Sequence, residues 1–487
     1  MAEAASLLYE QIADLVSGQI ASGVLQPGDR APSVRTLSRS AGVSIATVTQ
    51  AYLLLEQRGV VEARPRSGYF VRSPLAPGPV PPRAVTIRSR RPRNISARVL
   101  GTIMESLGRR DVLALGSAVT AHAGTLNARL NRLTREVLRD HPELPNRLEV
   151  PPGDLELRRQ IARRMALVGA ATTPEQVVVT AGAMEAIALA LRVACRAGDT
   201  VLVESPTYFG VLQVLQMLDL KVLEVANDPA TGIDVGAVEQ LAASNRIAAA
   251  VLMPNFNNPT GALTSDAAKA RLVAALAGRG TVIIEDDIYG DLQHSGPRPK
   301  PLRAFDDSGL VITCGSVSKT IALGYRIGWA VTTSFAEDLS RAKFFSTVAC
   351  PNLQQQVLAR YYASGSYDRY LRQAREFLAG NRRRFAGAVL ETFPVGTRVS
   401  NPQGGVVLWV QLPPQVDGVA LFQHALAQRI GIAPGVIFCA GGGYRNFIRL
   451  SAGVAWSPQV EEALEVLGRL AGSLAGRRGR GSAKAAG

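Results

Sequence analysis

Apolar residues at Leu8, Ile12, Leu15, Val16 and Ile20 recur three or four positions apart, which predicts a helix over 7–23 closed by Gly23. After a Pro27-Gly28 turn, Ser33 stands where it would cap a second helix over 34–40. Gly42 ends that helix, and Ser44 caps a third running to about Gln57. Two short helices joined through Ala41-Gly42-Val43 have the spacing of a helix-turn-helix. Residues 60–63 and 69–71 flank Arg64-Pro-Arg-Ser-Gly68 and predict a hairpin.

The pattern then breaks. Residues 73–82 hold five prolines, so they form neither a helix nor a central strand and read as an extended linker. From about residue 100 short apolar runs recur at 177–179, 200–203, 248–253, 281–284 and 310–313, each followed by a turn and a helical period. That alternation predicts an α/β fold with a mostly parallel sheet wrapped by helices, binding ligands beyond the carboxyl ends of its strands. The expected boundaries are 1–72 for the first domain, 73–98 for the linker, 99–470 for the α/β domain with a smaller C-terminal α+β part, and 471–487 for a basic flexible tail.

At 487 residues, with 47% hydrophobic and 19% charged positions, the chain can bury several cores and is not globally disordered. Cys195, Cys314, Cys350 and Cys439 are far apart and predict neither disulfides nor a metal site. No signal peptide or membrane span is evident, so a cytoplasmic protein is expected. The net charge of +15 is concentrated. Residues 73–98 carry six arginines and 469–487 carry four arginines and Lys484, both without an acid. Beside a helix-turn-helix, the linker arginines are expected to touch phosphates, where each neutralised phosphate adds affinity by counterion release.

Ser316-Val-Ser-Lys319, with Arg326 seven residues on, sets an amine among hydroxyls and a fixed cation. Pyridoxal 5'-phosphate needs such a lysine for an imine, and also an acid at the pyridine nitrogen, a stacking ring, donors to the ring oxygen and a phosphate cradle. Candidates follow the predicted strands in order: Gly182-Ala183-Met184 opening a helix, Tyr208, Asn258, and Glu285-Asp286-Asp287-Ile-Tyr289.

The stretches LYEQIADLVSGQIASGVLQPGDRAPSVRTLS and AGVSIATVTQAYLLLEQRGVVEARPRSGYFV resemble the GntR family of transcriptional regulators across residues 7–72. The resemblance implies a winged helix on double-stranded DNA, with Arg35, Ser44, Thr47, Arg64 and Arg66 near the duplex. Where that family often carries arginine on the recognition helix, this chain has Ile45 and Thr49. Base reading is therefore expected to rest on Thr47, Thr49, Gln50 and apolar contacts.

Residues 110–470 resemble the fold type I aminotransferases. By that resemblance Lys319 forms the imine, Asp286 rather than Asp287 pairs with the pyridine nitrogen, and Asn258 and Tyr289 bond the ring oxygen. Tyr208 stacks on the ring, and Ser316, Ser318, Arg326 and the Ala183 and Met184 backbone hold phosphate. Arg449 grips an α-carboxylate. One departure is Leu148, which stands where the family often has a tyrosine reaching the partner subunit's phosphate. Winged helix, proline-rich linker and aminotransferase-like domain in this order resemble the MocR subgroup of GntR regulators. That implies a head-to-tail, domain-swapped homodimer sensing pyridoxal phosphate, or an amine or amino-acid effector, through an aldimine. The competing expectations are a working aminotransferase with an appended DNA-binding segment, and a regulator whose second domain only dimerises.

Overall fold

The computed structural model describes residues 8–22, 24–26, 28–57, 60–64, 67–71, 80–83, 97–120 and 124–483. The chain divides into two units, residues 1–78 and 79–487.

In the first unit the helices span Leu8–Ala21, Val34–Ala41 and Ile45–Gln57. Ser33 Oγ accepts the Thr36 N–H at 3.1 Å, satisfying a donor the helix start leaves unpaired. Gly42 ends the second helix in the left-handed region at φ 65°, returning its N–H to the Ser38 carbonyl, a conformation that favours glycine. Val61–Arg64 and Gly68–Val71 pair antiparallel as the wing. Ile12, Val16, Leu37, Val48, Tyr52 and Leu55 form the core, and Tyr52 stacks on Tyr69 at 4.4 Å. Two residues of the expected stripe, Leu8 and Leu15, remain exposed. Gly23, Pro27, Gly59 and Arg66 lie outside the described residues.

The second unit is built on an eight-stranded sheet. Its spatial order is Val177–Thr180, Gly328–Val331, Val311–Ser316, Val282–Asp286, Ala249–Leu252, Thr200–Ser205, Lys221–Asp228, Gly232–Ile233. The five strands from Val311–Ser316 to Lys221–Asp228 are parallel to one another. Gly328–Val331 and Gly232–Ile233 run against their neighbours. The apolar runs of Val177–Thr180 and Ala249–Leu252 are buried throughout, as strands covered on both faces must be. Three of these strands lie outside the expected runs: Lys221–Asp228 is interrupted by Lys221, Glu224 and Asp228, and the other two are two- and four-residue pieces.

A smaller antiparallel sheet orders Arg398–Val399, Val407–Gln411, Phe447–Ser451 and Ala433–Pro434. Its core is aromatic, with Trp409 stacked on Phe447 at 5.2 Å. Leu113–Ala114 pairs parallel with Ile430–Gly431 beside it.

Two expectations change. The last helix runs from Pro458 to Ala483 and takes in most of the expected tail. Ala471 is buried and Leu470, Leu474 and Ala475 pack on the smaller core, so the helix continues past the expected boundary at 470. Part of the expected linker is also tied down, at residues 80–83, and its last two residues begin the helix Ala97–Gly108. The Val399 N–H donates to the Val80 carbonyl at 3.1 Å and the Arg83 N–H to Gln411 Oε1 at 2.9 Å, with Pro82 buried. Arg88, Arg90, Arg91 and Arg93 lie outside the described residues. No helix among the described residues is long and apolar enough to cross a membrane.

Candidate functional site

The carboxyl ends of the parallel strands meet the smaller sheet around a cavity of about 220 Å³. Lys319 reaches it from the turn after Val311–Ser316, and Asp286 is the last residue of Val282–Asp286, in register with Cys314. Asn258 and Tyr208 come from the loops after Ala249–Leu252 and Thr200–Ser205, and Arg449 from the middle of Phe447–Ser451.

The electrostatics are those of buried charges with few partners. Burial, then the neighbouring Arg449 guanidinium, pushes Lys319 down to about 8, so its amine loses its proton far more readily than an ordinary lysine while remaining mostly protonated at neutral pH. Burial raises Asp286 to about 7, with the Asp287 charge adding and Lys319 opposing. The Tyr289 hydroxyl is fully buried without a hydrogen-bond partner, and burial pushes its pKa well up. Arg449 donates to Asn258 Oδ1 at 2.7 Å and to the Gly116 carbonyl, while its Nε has no partner. Its guanidinium lies 4.9 Å from the Phe438 ring centroid.

Asp287 belongs elsewhere. It accepts from Arg298 at 2.5 Å and from Asn255 at 2.9 Å, on the wall of a separate cavity of about 40 Å³ shared with Asp291 and Arg164. Consecutive residues at a strand end face opposite sides, and it is Asp286 that faces the larger cavity.

At the other end, Gly182 (φ 107°) opens the helix Ala183–Ala194, whose first N–H groups face the cavity beside Arg326. A side chain at Gly182 would stand 2.8 Å from Arg326 Nη2, and one at Gly328 would strike the Gly182 backbone. The two glycines keep this corner open. Arg326, itself left-handed at φ 51°, donates to Ser318 Oγ at 3.2 Å and to the Ala181 carbonyl at 3.0 Å. Ser316 departs from expectation. Its hydroxyl donates to the Ile327 carbonyl at 2.8 Å and sits 2.9 Å from Ser318 Oγ, so it supports Ser318 and does not line the cavity.

Every other residue expected at the cofactor or substrate lines this cavity: Ala183, Met184, Tyr208, Asn258, Asp286, Tyr289, Ser318, Lys319, Arg326 and Arg449. Sequence reasoning missed the segment after Leu113–Ala114. Ser117 and Ala118 line the cavity, and the Ala118 carbonyl accepts from Lys319 Nζ at 2.6 Å. The available signal was the short apolar run Leu113-Ala-Leu ending on Gly116. Leu148, in place of the expected tyrosine, is exposed.

In the first unit Arg35, Ser44 and Gln50 are exposed, and Thr47 and Thr49 are half-buried. Ser44 Oγ caps the third helix by accepting the Thr47 N–H at 3.1 Å and meets Thr47 Oγ1 at 2.8 Å. Thr49 donates to the Ile45 carbonyl at 2.8 Å. Both threonine hydroxyls therefore serve the helix itself. Exposed Ile45, Leu53 and Gln50 carry the outward face. Arg64 lies in the wing's first strand.

The fold and this residue set define a class I and II aminotransferase-type unit behind a DNA-binding module. Residues 111–467 match the family described as aminotransferase class I and II, and residues 8–71 match the gntR family of bacterial regulatory proteins. Two Escherichia coli proteins, the uncharacterized HTH-type transcriptional regulators YdcR and YjiR, are each 36% identical to the chain. Those alignments cover 95% and 94% of it and 98% of each relative. Among solved structures, the α-aminoadipate aminotransferase LysN of Thermus thermophilus, complexed with N-(5'-phosphopyridoxyl)-L-leucine, superposes with a TM-score of 0.71. It is 27% identical, over 78% of this chain and 96% of that one. The chain belongs to the GntR-type regulators with an aminotransferase domain, the MocR architecture.

Pyridoxal 5'-phosphate is the cofactor implied by that family. The residues fit it: an orphaned buried hydroxyl at Tyr289, a carboxyl at Asp286, an amine at Lys319 and an open glycine-lined corner beside Arg326.

Proposed function

We propose that this protein is a cytoplasmic, homodimeric, DNA-binding transcriptional regulator whose aminotransferase-like unit senses pyridoxal phosphate, or an amine or amino acid bound with it. One observation carries the reading: a cavity lined by residues that fit that cofactor lies in the same chain as a winged helix of the gntR regulatory family. Bound there, the cofactor supplies an aldehyde to an amine and an electron-poor ring.

The protein's residues do the rest. Lys319, held near 8 by burial and Arg449, offers a neutral amine. Asp286 offers an anion to a protonated ring nitrogen, and that charge would draw its own pKa back down. Tyr289 and Asn258 offer a hydroxyl and an amide to the ring oxygen, Tyr208 a face, and Ala183, Met184, Ser318 and Arg326 a phosphate corner, with Ser316 holding Ser318. Arg449 offers its planar fork to a carboxylate. An amino acid taken up by this set favours one arrangement of the chain only as far as its affinity differs between arrangements. One winged helix binds weakly, so a head-to-tail dimer presenting two modules suits the DNA partner.

A gel shift with and without pyridoxal phosphate and a panel of amines, read beside cofactor absorbance, tests this. DNA affinity should change with ligand and stop changing in Lys319→Ala. An unchanged shift in wild type removes the reading. The intact set Lys319, Asp286, Asn258 and Arg449 also favours a second reading, a working aminotransferase. Steady keto-acid-dependent turnover at ordinary enzyme rates, with DNA affinity indifferent to ligand, would select it.

A further inference from the structure

The segment that sequence reasoning overlooked bridges the two sheets of the second unit. On one side it is stitched by its backbone to the smaller sheet's surroundings. The Leu113 N–H donates to the Arg429 carbonyl at 2.8 Å, the Gly116 N–H to the Gly431 carbonyl at 2.7 Å, and the Ser451 N–H to the Leu115 carbonyl at 2.7 Å. There is no room for slack: a side chain at Gly116 would lie 2.5 Å from the Ile432 carbonyl carbon, and one at Gly453 would strike the Val119 carbonyl.

On its other side the segment is held by the lysine at the end of the large sheet. Lys319 Nζ donates to the Ala118 carbonyl at 2.6 Å, and Thr120 Oγ1 donates to the Lys319 carbonyl at 3.1 Å. Between these, the Gly116 carbonyl takes a hydrogen bond from Arg449, whose other nitrogen crosses to Asn258 of the large-sheet loops. Most of the polar ties from this segment to the cavity thus use cations that also face the ligand. A carbonyl accepting from an ammonium or guanidinium makes a stronger bond than one accepting from a neutral donor. Losing it is correspondingly significant.

We propose that residues 112–120 form a strap that reports occupancy of the cavity to the linker: a ligand engaging Lys319 and Arg449 takes them from Ala118 and Gly116, and the strap lets go of the large sheet. The proposal rests on the sensor reading above. The smaller sheet itself stays docked, through the Thr207 N–H on the Phe438 carbonyl at 2.8 Å and the Tyr444 hydroxyl on the Ser205 carbonyl at 2.9 Å. What moves is the strap with the helix ahead of it. The route outward is short and continuous. Helix Ala97–Gly108 leads into the strap and inserts Ile103 into the smaller sheet's core, while residues 80–83 are fixed to Val399 and Gln411 of that sheet. Residues 80–83 are therefore a fixed anchor, while the helix that begins at Ala97 is joined directly to the strap. Such a step needs two packed arrangements rather than continuous bending.

Hydrogen exchange on the full-length protein, followed in peptides spanning 112–120, tests the strap. The probes are pyridoxal 5'-phosphate, which engages Lys319, and N-(5'-phosphopyridoxyl)-L-leucine, whose carboxylate addresses Arg449. Each should raise exchange in this segment by roughly tenfold while the large sheet's strands stay protected. Thr120→Val removes one tie with little change in shape. Without ligand it should raise exchange there severalfold, keep cofactor absorbance, and move DNA affinity toward that of loaded wild type, read on a duplex selected from random sequence. Exchange that stays level or falls on loading overturns the strap. So does a Thr120→Val protein matching wild type in both exchange and DNA response. If instead wild-type DNA affinity ignores both probes, the sensor reading itself falls, and that outcome is distinct from a responsive wild type with an unresponsive strap.

Discussion

The two units do opposite things with polar side chains. In the winged helix the residues expected at DNA sit outside the core, and much of their hydrogen-bonding capacity serves local structure: Ser44 caps, Thr47 joins the cap, and Thr49 bonds back to Ile45. In the aminotransferase-like unit the working residues are buried, and several are held away from full satisfaction. Tyr289 has an orphaned hydroxyl, Arg449 an orphaned Nε, and Asp286 a carboxyl raised to about 7. A surface reader can use almost any exposed polar side chain, because water satisfies what the partner does not. A buried site tolerates only groups whose partner arrives with the ligand, since an unpaired buried polar group costs about 1–3 kcal/mol.

The largest expected break in this contrast is Lys319→Ala. It should abolish covalent cofactor uptake, seen as loss of the bound-cofactor absorbance, and end the response of DNA affinity to ligand while DNA binding itself is retained. A variant that no longer bound DNA at all would show that the units are not separable in this way. Next, Tyr52→Ala should lower the stability of the first unit by about 3–5 kcal/mol, because it empties a fully buried site stacked on Tyr69. Chemical unfolding should show that transition move alone, with the second unit's midpoint unchanged.

A smaller effect tests the buried side. Arg449→Gln should weaken an amino-acid ligand by roughly 30- to 1000-fold, about 2–4 kcal/mol, with cofactor uptake retained. Isothermal titration of the loaded protein reads it. On the DNA-binding side of the comparison, neutralising Arg88, Arg90, Arg91 and Arg93 should weaken binding to all duplexes alike. The slope of log affinity against log salt should flatten by roughly 0.9 for each lost phosphate contact.

The smallest effect is a pH midpoint. The rate of cofactor uptake should rise with pH through about 8 as Lys319 loses its proton. Burial is the main reason that value is low and Arg449 the second, so Arg449→Gln removes a repulsion, favours the ammonium and shifts the midpoint upward. A midpoint that stayed put would show that Arg449 contributes nothing and leave burial, with Arg326 behind it, as the cause.

The same contrast explains what could be read from the amino-acid sequence. Lys319, Asp286, Asn258, Tyr208 and Arg449 were legible because each is a polar residue just past, or within, an apolar strand, where burial makes such a residue rare. The choice of Asp286 over Asp287 rested on spacing, and side alternation at the strand end places them so. Ser316 misled because a hydroxyl two residues from Ser318 can serve the ligand or serve its neighbour, and only the Ile327 carbonyl decides. Residues 116–120 act largely through carbonyls, which every residue has, so no side chain announced them. Lys221–Asp228 escaped because Lys221, Glu224 and Asp228 break its apolar run, although the structure buries most of it. The last helix was cut short because its end is basic and glycine-rich, while Ala471 and Leu474 still pack.

Tyr289's unpaired hydroxyl carries one more implication. A group that waits for its partner makes the loaded chain more stable than the unloaded one, by an amount that grows with ligand concentration over its dissociation constant. Proteases sample the rarely unfolded fraction, so a shift of about 1–2 kcal/mol alters abundance severalfold, on the order seen for destabilising variants. Cofactor supply would then set how long each molecule survives in the cell as well as how it behaves.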